Sequence, residues 1–86
     1  MNEILTKIGQ VKIVPVVAIE DAKDAQPLGD ALLAGGLPCA EITFRTAAAE
    51  EAIKNMSQNK KILVGAGTVL SVDQAKTAVD AGAQFI

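Results

Sequence analysis

The stretch Cys39-Ala40-Glu41-Ile42-Thr43-Phe44-Arg45 decides how the rest of the chain is read. Side chains of an extended segment alternate between faces, so Ala40, Ile42 and Phe44 share one side and Glu41, Thr43 and Arg45 the other. An Ile/Phe face packs naturally beneath helices. The opposite face then carries a carboxylate, a hydroxyl and a guanidinium into a sheet interior or a barrel lumen. A charge buried there without a partner is costly, so packing alone is a poor reason for that combination. Two readings stay open. Glu41 and Arg45 could form a structural ion pair, although their Cβ atoms would stand about 13 Å apart along a strand. Alternatively they form a site in which Glu41 is a general acid/base and Arg45 clamps an anion.

Working outward, the segments on either side alternate between strand and helix signals. Upstream, Val11 to Ile19 is a β-branched run interrupted by Pro15, read as a strand buried on both faces. Before it, residues 2–9 place Ile4, Leu5 and Ile8 on one helical face, with Gly9 as the expected stop. Asp21 or Asp24 can cap the next helix, whose first turn tolerates Pro27. Leu28, Leu32 and Leu33 are its apolar stripe, and Gly35-Gly36 end it. Downstream, Thr46 is expected to cap a helix reaching about Ser57, with Glu50 and Glu51 near its positive end. Lys61–Ala66 reads as a third strand, and Ser71-Val72-Asp73-Gln74 has the capping-box spacing for a helix stopped by Gly82. Gln84-Phe85-Ile86 begins a fourth strand.

One βα unit therefore repeats three times, at a spacing of roughly 20–26 residues, which argues for a parallel sheet with helices packed outside it. A barrel or a doubly wound sheet could continue the pattern. An eight-fold barrel needs about 250 residues, and this chain has 86, so a fragment of something longer is expected.

Composition narrows the chemistry. Half the residues are hydrophobic and only 2% are aromatic, which suits a folded core of Ala, Val, Ile and Leu. Eight Lys and Arg against ten Asp and Glu give a formal net charge of −2, without the basic stripe of a nucleic-acid binder. No apolar run is long enough for a membrane span and no secretory signal is evident. With a single cysteine, a cytoplasmic setting is expected. The chain has no histidine, which removes Ser-His-Asp and Cys-His catalysis and His-based zinc sites within it. What remains is carboxylate, lysine and arginine chemistry, and no metal or cofactor is called for.

Val64-Gly65-Ala66-Gly67-Thr68-Val69-Leu70 is the second candidate region, at the C-terminal end of a strand where βα loops build active sites. Gly65 and Gly67 would let a substrate approach the backbone, and Thr68 offers a hydroxyl. As a dinucleotide fingerprint it is incomplete, because Leu70 stands where a third glycine belongs. Cys39 reads as a small buried hydrophobe, and Lys12, Lys54, Lys60, Lys61 and Lys76 as solvated. Glu20-Asp21 reads as a helix start.

Val14-Pro15-Val16-Val17, Ala34-Gly35-Gly36, Ala40 to Thr46, Val64 to Val69 and Ala81 to Ile86 occur in this order. Together they resemble the N-terminal portion of the 2-keto-3-deoxy-6-phosphogluconate (KDPG) aldolase and 4-hydroxy-2-oxoglutarate (KHG) aldolase family. The Glu-x-x-x-Arg strand and the Gly-Ala-Gly-Thr loop are the most specific parts. The resemblance implies a (β/α)8 TIM barrel of which residues 1–86 hold an N-terminal helix, three βα units and the start of strand four. It implies a class I aldolase, usually a homotrimer, that needs no metal and uses a Schiff-base lysine on the sixth strand. By the same resemblance Glu41 is the proton-transferring residue, Arg45 binds the pyruvate carboxylate and Thr68 contacts the bound pyruvate. The lysine and the phosphate-binding loops are not among residues 1–86, so these residues alone are expected to be inactive. Two other readings remain: a nucleotide-binding α/β domain, and a non-catalytic half-barrel module that associates with copies of itself.

Overall fold

The computed structural model of the chain describes residues 3–86, so the expected helical role of Asn2 lies outside the described residues. Helix α1 spans Glu3–Val11 and passes through Gly9, where the sequence suggested a stop. A glycine inside a helix costs only about 1 kcal/mol, and Val11 continues the stripe begun by Ile4 and Ile8. The helix ends instead at Lys12, which takes a left-handed φ of 70° while its N–H reaches the Ile8 carbonyl at 2.9 Å.

The β-branched run that follows contributes much less strand than expected. Strand β1 is only Val16–Val17. The start of the run is taken up by the helix end, and Pro15 cannot donate to a ladder, although its carbonyl accepts the Glu41 N–H at 2.9 Å. Asp21 caps a single 3-10 turn, Ala22–Asp24, by accepting the Lys23 N–H at 3.1 Å. Helix α2 (Ala25–Ala34) follows directly with Asp24 as its N-cap, which leaves Pro27 in the first turn as expected.

Strand β2 is Cys39–Thr43, helix α3 is Ala49–Ser57, strand β3 is Leu63–Gly67 and helix α4 is Val72–Ala81. Thr46 does not cap α3: its N-cap is Ala48, with no side-chain cap bond, and the Thr46 hydroxyl is used elsewhere. Ser71 does cap α4, accepting the Gln74 N–H at 3.1 Å, while Gln74 reaches back to the N–H of Leu70 at 2.7 Å. Gly82 stops the helix with φ 120°, where a side chain would also strike Ser57.

The strands form one parallel sheet in the order β1-β2-β3. Glu41 lies beside Val16 on one side and Gly65 on the other, and Gly65 is bridged in turn to Phe85. The Gln84 N–H to Val64 carbonyl bond of 2.8 Å and the Ala66 N–H to Phe85 carbonyl bond of 3.0 Å mark the expected beginning of a fourth strand.

Ala40, Ile42, Val64 and Ala66 point into a core with Ala25 of α2, Ile53 and Met56 of α3 and Ala78 of α4. All three helices therefore cover the same face, and the principal extents of 30 × 29 × 18 Å fit one helical layer on one sheet. A doubly wound sheet reverses its strand order and puts helices on both faces. Consecutive order with a single helical layer is consistent with a partial barrel, and is shared by one half of a doubly wound sheet before its switch point. Among the described residues, no helix is long and apolar enough to cross a membrane.

Candidate functional site

The face without helices carries the row Val16, Glu41, Gly65 and Phe85, with Thr43 and Gly67 one step further towards the C-terminal ends. Glu41 is half-buried there, in the middle of β2, and faces away from the core as its alternation with Ala40 and Ile42 requires. Its carboxylate lies over the backbone of Gly67. A methyl group built on Gly67 would come within 2.7 Å of Glu41 Cδ and overlap Oε2. Likewise the Phe85 ring packs against Gly65, with three of its atoms in the volume a Cβ there would need.

This changes the meaning of the Gly-Ala-Gly sequence. The two glycines do not leave room for a substrate against the backbone, as the sequence suggested. Their space is filled from within the chain, by Phe85 and Glu41. The same filling argues against a pyrophosphate held on this loop.

Arg45 is not a strand residue. Strand β2 ends at Thr43, and Arg45 sits exposed in the turn over residues 44–48 that leads to α3. The turn is pinned on its β3 side by the Phe44 N–H, which donates to the Gly67 carbonyl at 2.9 Å. On its β1 side the Thr46 hydroxyl donates to the Ile19 carbonyl at 2.5 Å. Among the described residues the one ion pair is Lys23–Asp21, so Glu41 and Arg45 are not a structural pair. Both charged groups lie towards the C-terminal end of the sheet, and neither is neutralised by the other.

Thr68 follows β3 directly and is exposed, with φ 54°. A β-branched residue in the left-handed region is strained, and such strain gathers at functional loops. Arg45 and Thr68 thus follow the C-terminal ends of two neighbouring strands, and the Glu41 carboxylate reaches from the middle of β2 over Gly67, the residue before Thr68.

Cys39 is fully buried on β2, and burial pushes its thiol upward, with the nearby Glu41 carboxylate adding to the effect. It is a packing residue rather than a nucleophile. Among the described residues no cluster of three or more acidic, Cys or His side chains could hold a metal. At the opposite end of the sheet, a cavity of about 210 Å³ between α1 and the N-terminal ends of the strands is lined by Lys7, Lys60 and Lys61 among others. None of the three residues singled out above lines it.

A family model described as KDPG and KHG aldolase matches residues 4–86. The chain belongs to the KDPG and KHG aldolase family. It is 48% identical over its whole length to the 2-dehydro-3-deoxy-phosphogluconate aldolase of Treponema pallidum, and 45% identical over 99% of its length to that of Haemophilus influenzae. In each case it spans 41% of the relative's length. The crystal structure of the 2-keto-3-deoxy-6-phosphogluconate aldolase of Zymomonas mobilis ZM4 with 3-phosphoglycerate superimposes with a TM-score of 0.89 at 43% identity, covering 99% of this chain and 41% of that one. A second neighbour, the KDPG aldolase of Legionella pneumophila, holds pyruvate captured as a covalent carbinolamine. It gives a TM-score of 0.79 at 41% identity over 84% of this chain and 35% of that one. Membership in this family does not favour the nucleotide-binding or self-associating readings.

The sequence alone missed the parts played by Thr46 and Phe85. Thr46 carries a signal that reads two ways, since a hydroxyl ahead of a helix can cap it or bond across to a neighbouring loop. The signal for Phe85 was the glycine pair itself, which announces a close approach without saying by what.

Proposed function

We propose that the full-length chain carrying these residues is a class I aldolase of the (β/α)8 barrel type. Residues 1–86 would supply the N-terminal part of its single domain: α1, three βα units and the start of strand four. The substrate is 2-keto-3-deoxy-6-phosphogluconate, cleaved to pyruvate and glyceraldehyde 3-phosphate. The second substrate is 4-hydroxy-2-oxoglutarate, cleaved to pyruvate and glyoxylate. The observation that carries this reading is the placement of Glu41: a carboxylate held over Gly67 on the open face of a parallel sheet, at the end where barrel enzymes do their chemistry.

The division of labour follows from the chemistry. A lysine, which the family resemblance puts on the sixth strand and outside residues 1–86, attacks the keto carbon and expels water to give a protonated imine. That imine is the electron sink. Glu41 accepts the proton of the C4 hydroxyl as the C3–C4 bond breaks and the aldehyde departs, leaving an enamine. It then delivers a proton to C3, and hydrolysis of the imine frees pyruvate and the lysine. Arg45 offers two parallel N–H donors to the substrate carboxylate, and Thr68 adds a hydroxyl to the same bound pyruvate. A homotrimer in the cytoplasm, with no metal or cofactor in the reaction, belongs to the same proposal.

The test is an intact mass of the full-length protein after incubation with pyruvate and borohydride. One reduced pyruvate fixed on a lysine is the expected result. Active cleavage with no adduct would sink the Schiff-base reading. Residues 1–86 alone should give neither adduct nor cleavage.

A further inference from the structure

The ladder between β1 and β2 ends early, at the pair Val17 and Ile42. Beyond it, two threonine hydroxyls continue the link. Thr43 is buried and donates to the Val17 carbonyl at 3.4 Å, and Thr46 donates to the Ile19 carbonyl at 2.5 Å. Arg45 lies between two anchors: the residue before it is bonded to Gly67 of β3, and the residue after it to the segment that follows β1. No ion pair or hydrogen bond among the described residues steers the guanidinium itself. The backbone on either side is therefore what aims it.

We infer that Thr46 is a positioning residue for Arg45. Its hydroxyl ties the turn over residues 44–48 to the Ile19 carbonyl and so fixes where the guanidinium meets the substrate carboxylate. The inference rests on reading Arg45 as the carboxylate clamp, and it adds a role that the clamp alone does not require. A capping role for Thr46 would instead act on α3, whose N-terminus the Thr46 side chain does not bond. Loss of the hydroxyl lets the turn shift, and a flexible side chain on a shifted turn binds a planar carboxylate less well.

The experiment is a double-mutant cycle in the full-length protein, measuring cleavage kinetics of Thr46→Val, Thr46→Ser, Arg45→Ala and the double variant Thr46→Val/Arg45→Ala. Thr46→Val keeps the shape of the side chain and loses the donor. It is expected to raise KM for the keto acid about tenfold, the scale of one lost hydrogen bond, with kcat within about twofold. Thr46→Ser should restore KM. In the Arg45→Ala background Thr46→Val should add almost nothing, because both act through one group. A KM rise of the same size with and without Arg45, or a fall in kcat alone, overturns the inference. If Arg45→Ala raises KM and Thr46→Val does not, the inference fails and the clamp stands. If Arg45→Ala leaves KM unchanged, the clamp itself fails and takes the inference with it. Should Thr46→Val not fold, Thr46→Ala replaces it. A chain that folds with neither makes Thr46 a structural residue and overturns the inference too.

Discussion

Glu41 occupies the volume in which a side chain at residue 67 would stand, with its Cδ only 2.7 Å from where a Gly67 Cβ would be. The two residues lie on adjacent parallel strands, one step apart along the sheet, since Gly67 pairs with Thr43. The glycine is thus a seat for the carboxylate, and the chemistry assigned to one depends on the absence of atoms on the other.

Gly67→Ala should therefore behave as a variant of Glu41. The added methyl group displaces the carboxylate rather than the β2–β3 ladder. We expect kcat of the full-length protein to fall by about 100-fold or more, the contribution of a positioned general acid/base, while the folded fraction is kept. Steady-state kinetics alongside a thermal melt check this. Full activity in Gly67→Ala would mean that Glu41 works from some other position.

At Thr68 strain and function are expected to part company. Its φ of 54° is unfavourable for a β-branched residue by about 1–2 kcal/mol, and glycine takes that conformation freely. Thr68→Gly should leave the urea midpoint unchanged or raised, after allowing for the entropy glycine adds to the unfolded chain. KM for the keto acid should rise, because the hydroxyl is gone. A clear loss of stability in this variant would mean that the Thr68 conformation is not strained.

Element order and the identity of the Glu41 face were legible in the sequence because both rest on periodicity. The Leu28, Leu32, Leu33 stripe, the Ser71 cap and the Gly82 stop each became a single local structure. The length of β1 was not legible. A β-branched run says that a segment favours extended backbone, not which of its residues find a rung on a neighbour, and Pro15 with the overrunning α1 left only Val16 and Val17. Arg45 shows a related limit. Alternation placed it on the Glu41 face, but the strand stops at Thr43, so tertiary hydrogen bonds rather than the pleat decide where it sits. The glycine pair was read as room for a ligand when it is room for Glu41 and Phe85.

Cys39 gives a pH signature. Its thiol is raised above the ordinary value of 9.0 by burial first and by the Glu41 carboxylate second. The folded state thus favours the neutral thiol. Its contribution is fully present below about pH 9 and is lost as pH rises from there, because the unfolded thiol ionises first. Urea midpoints measured between pH 8 and pH 10.5 should fall more steeply for the wild type than for Cys39→Ala. Parallel curves would show that the thiol is not buried in solution. A thiol reagent should also label the chain only on unfolding.

The central claim is that Glu41 moves the proton at the carbon beside the imine. Exchange of the pyruvate methyl protons with D2O, followed by NMR in the full-length protein, tests it without any cleavage step. The wild type should exchange those protons readily. Glu41→Gln should still be trapped on pyruvate by borohydride but exchange them at least about 100-fold more slowly. A Glu41→Gln variant that forms the adduct and exchanges at the wild-type rate would contradict the account.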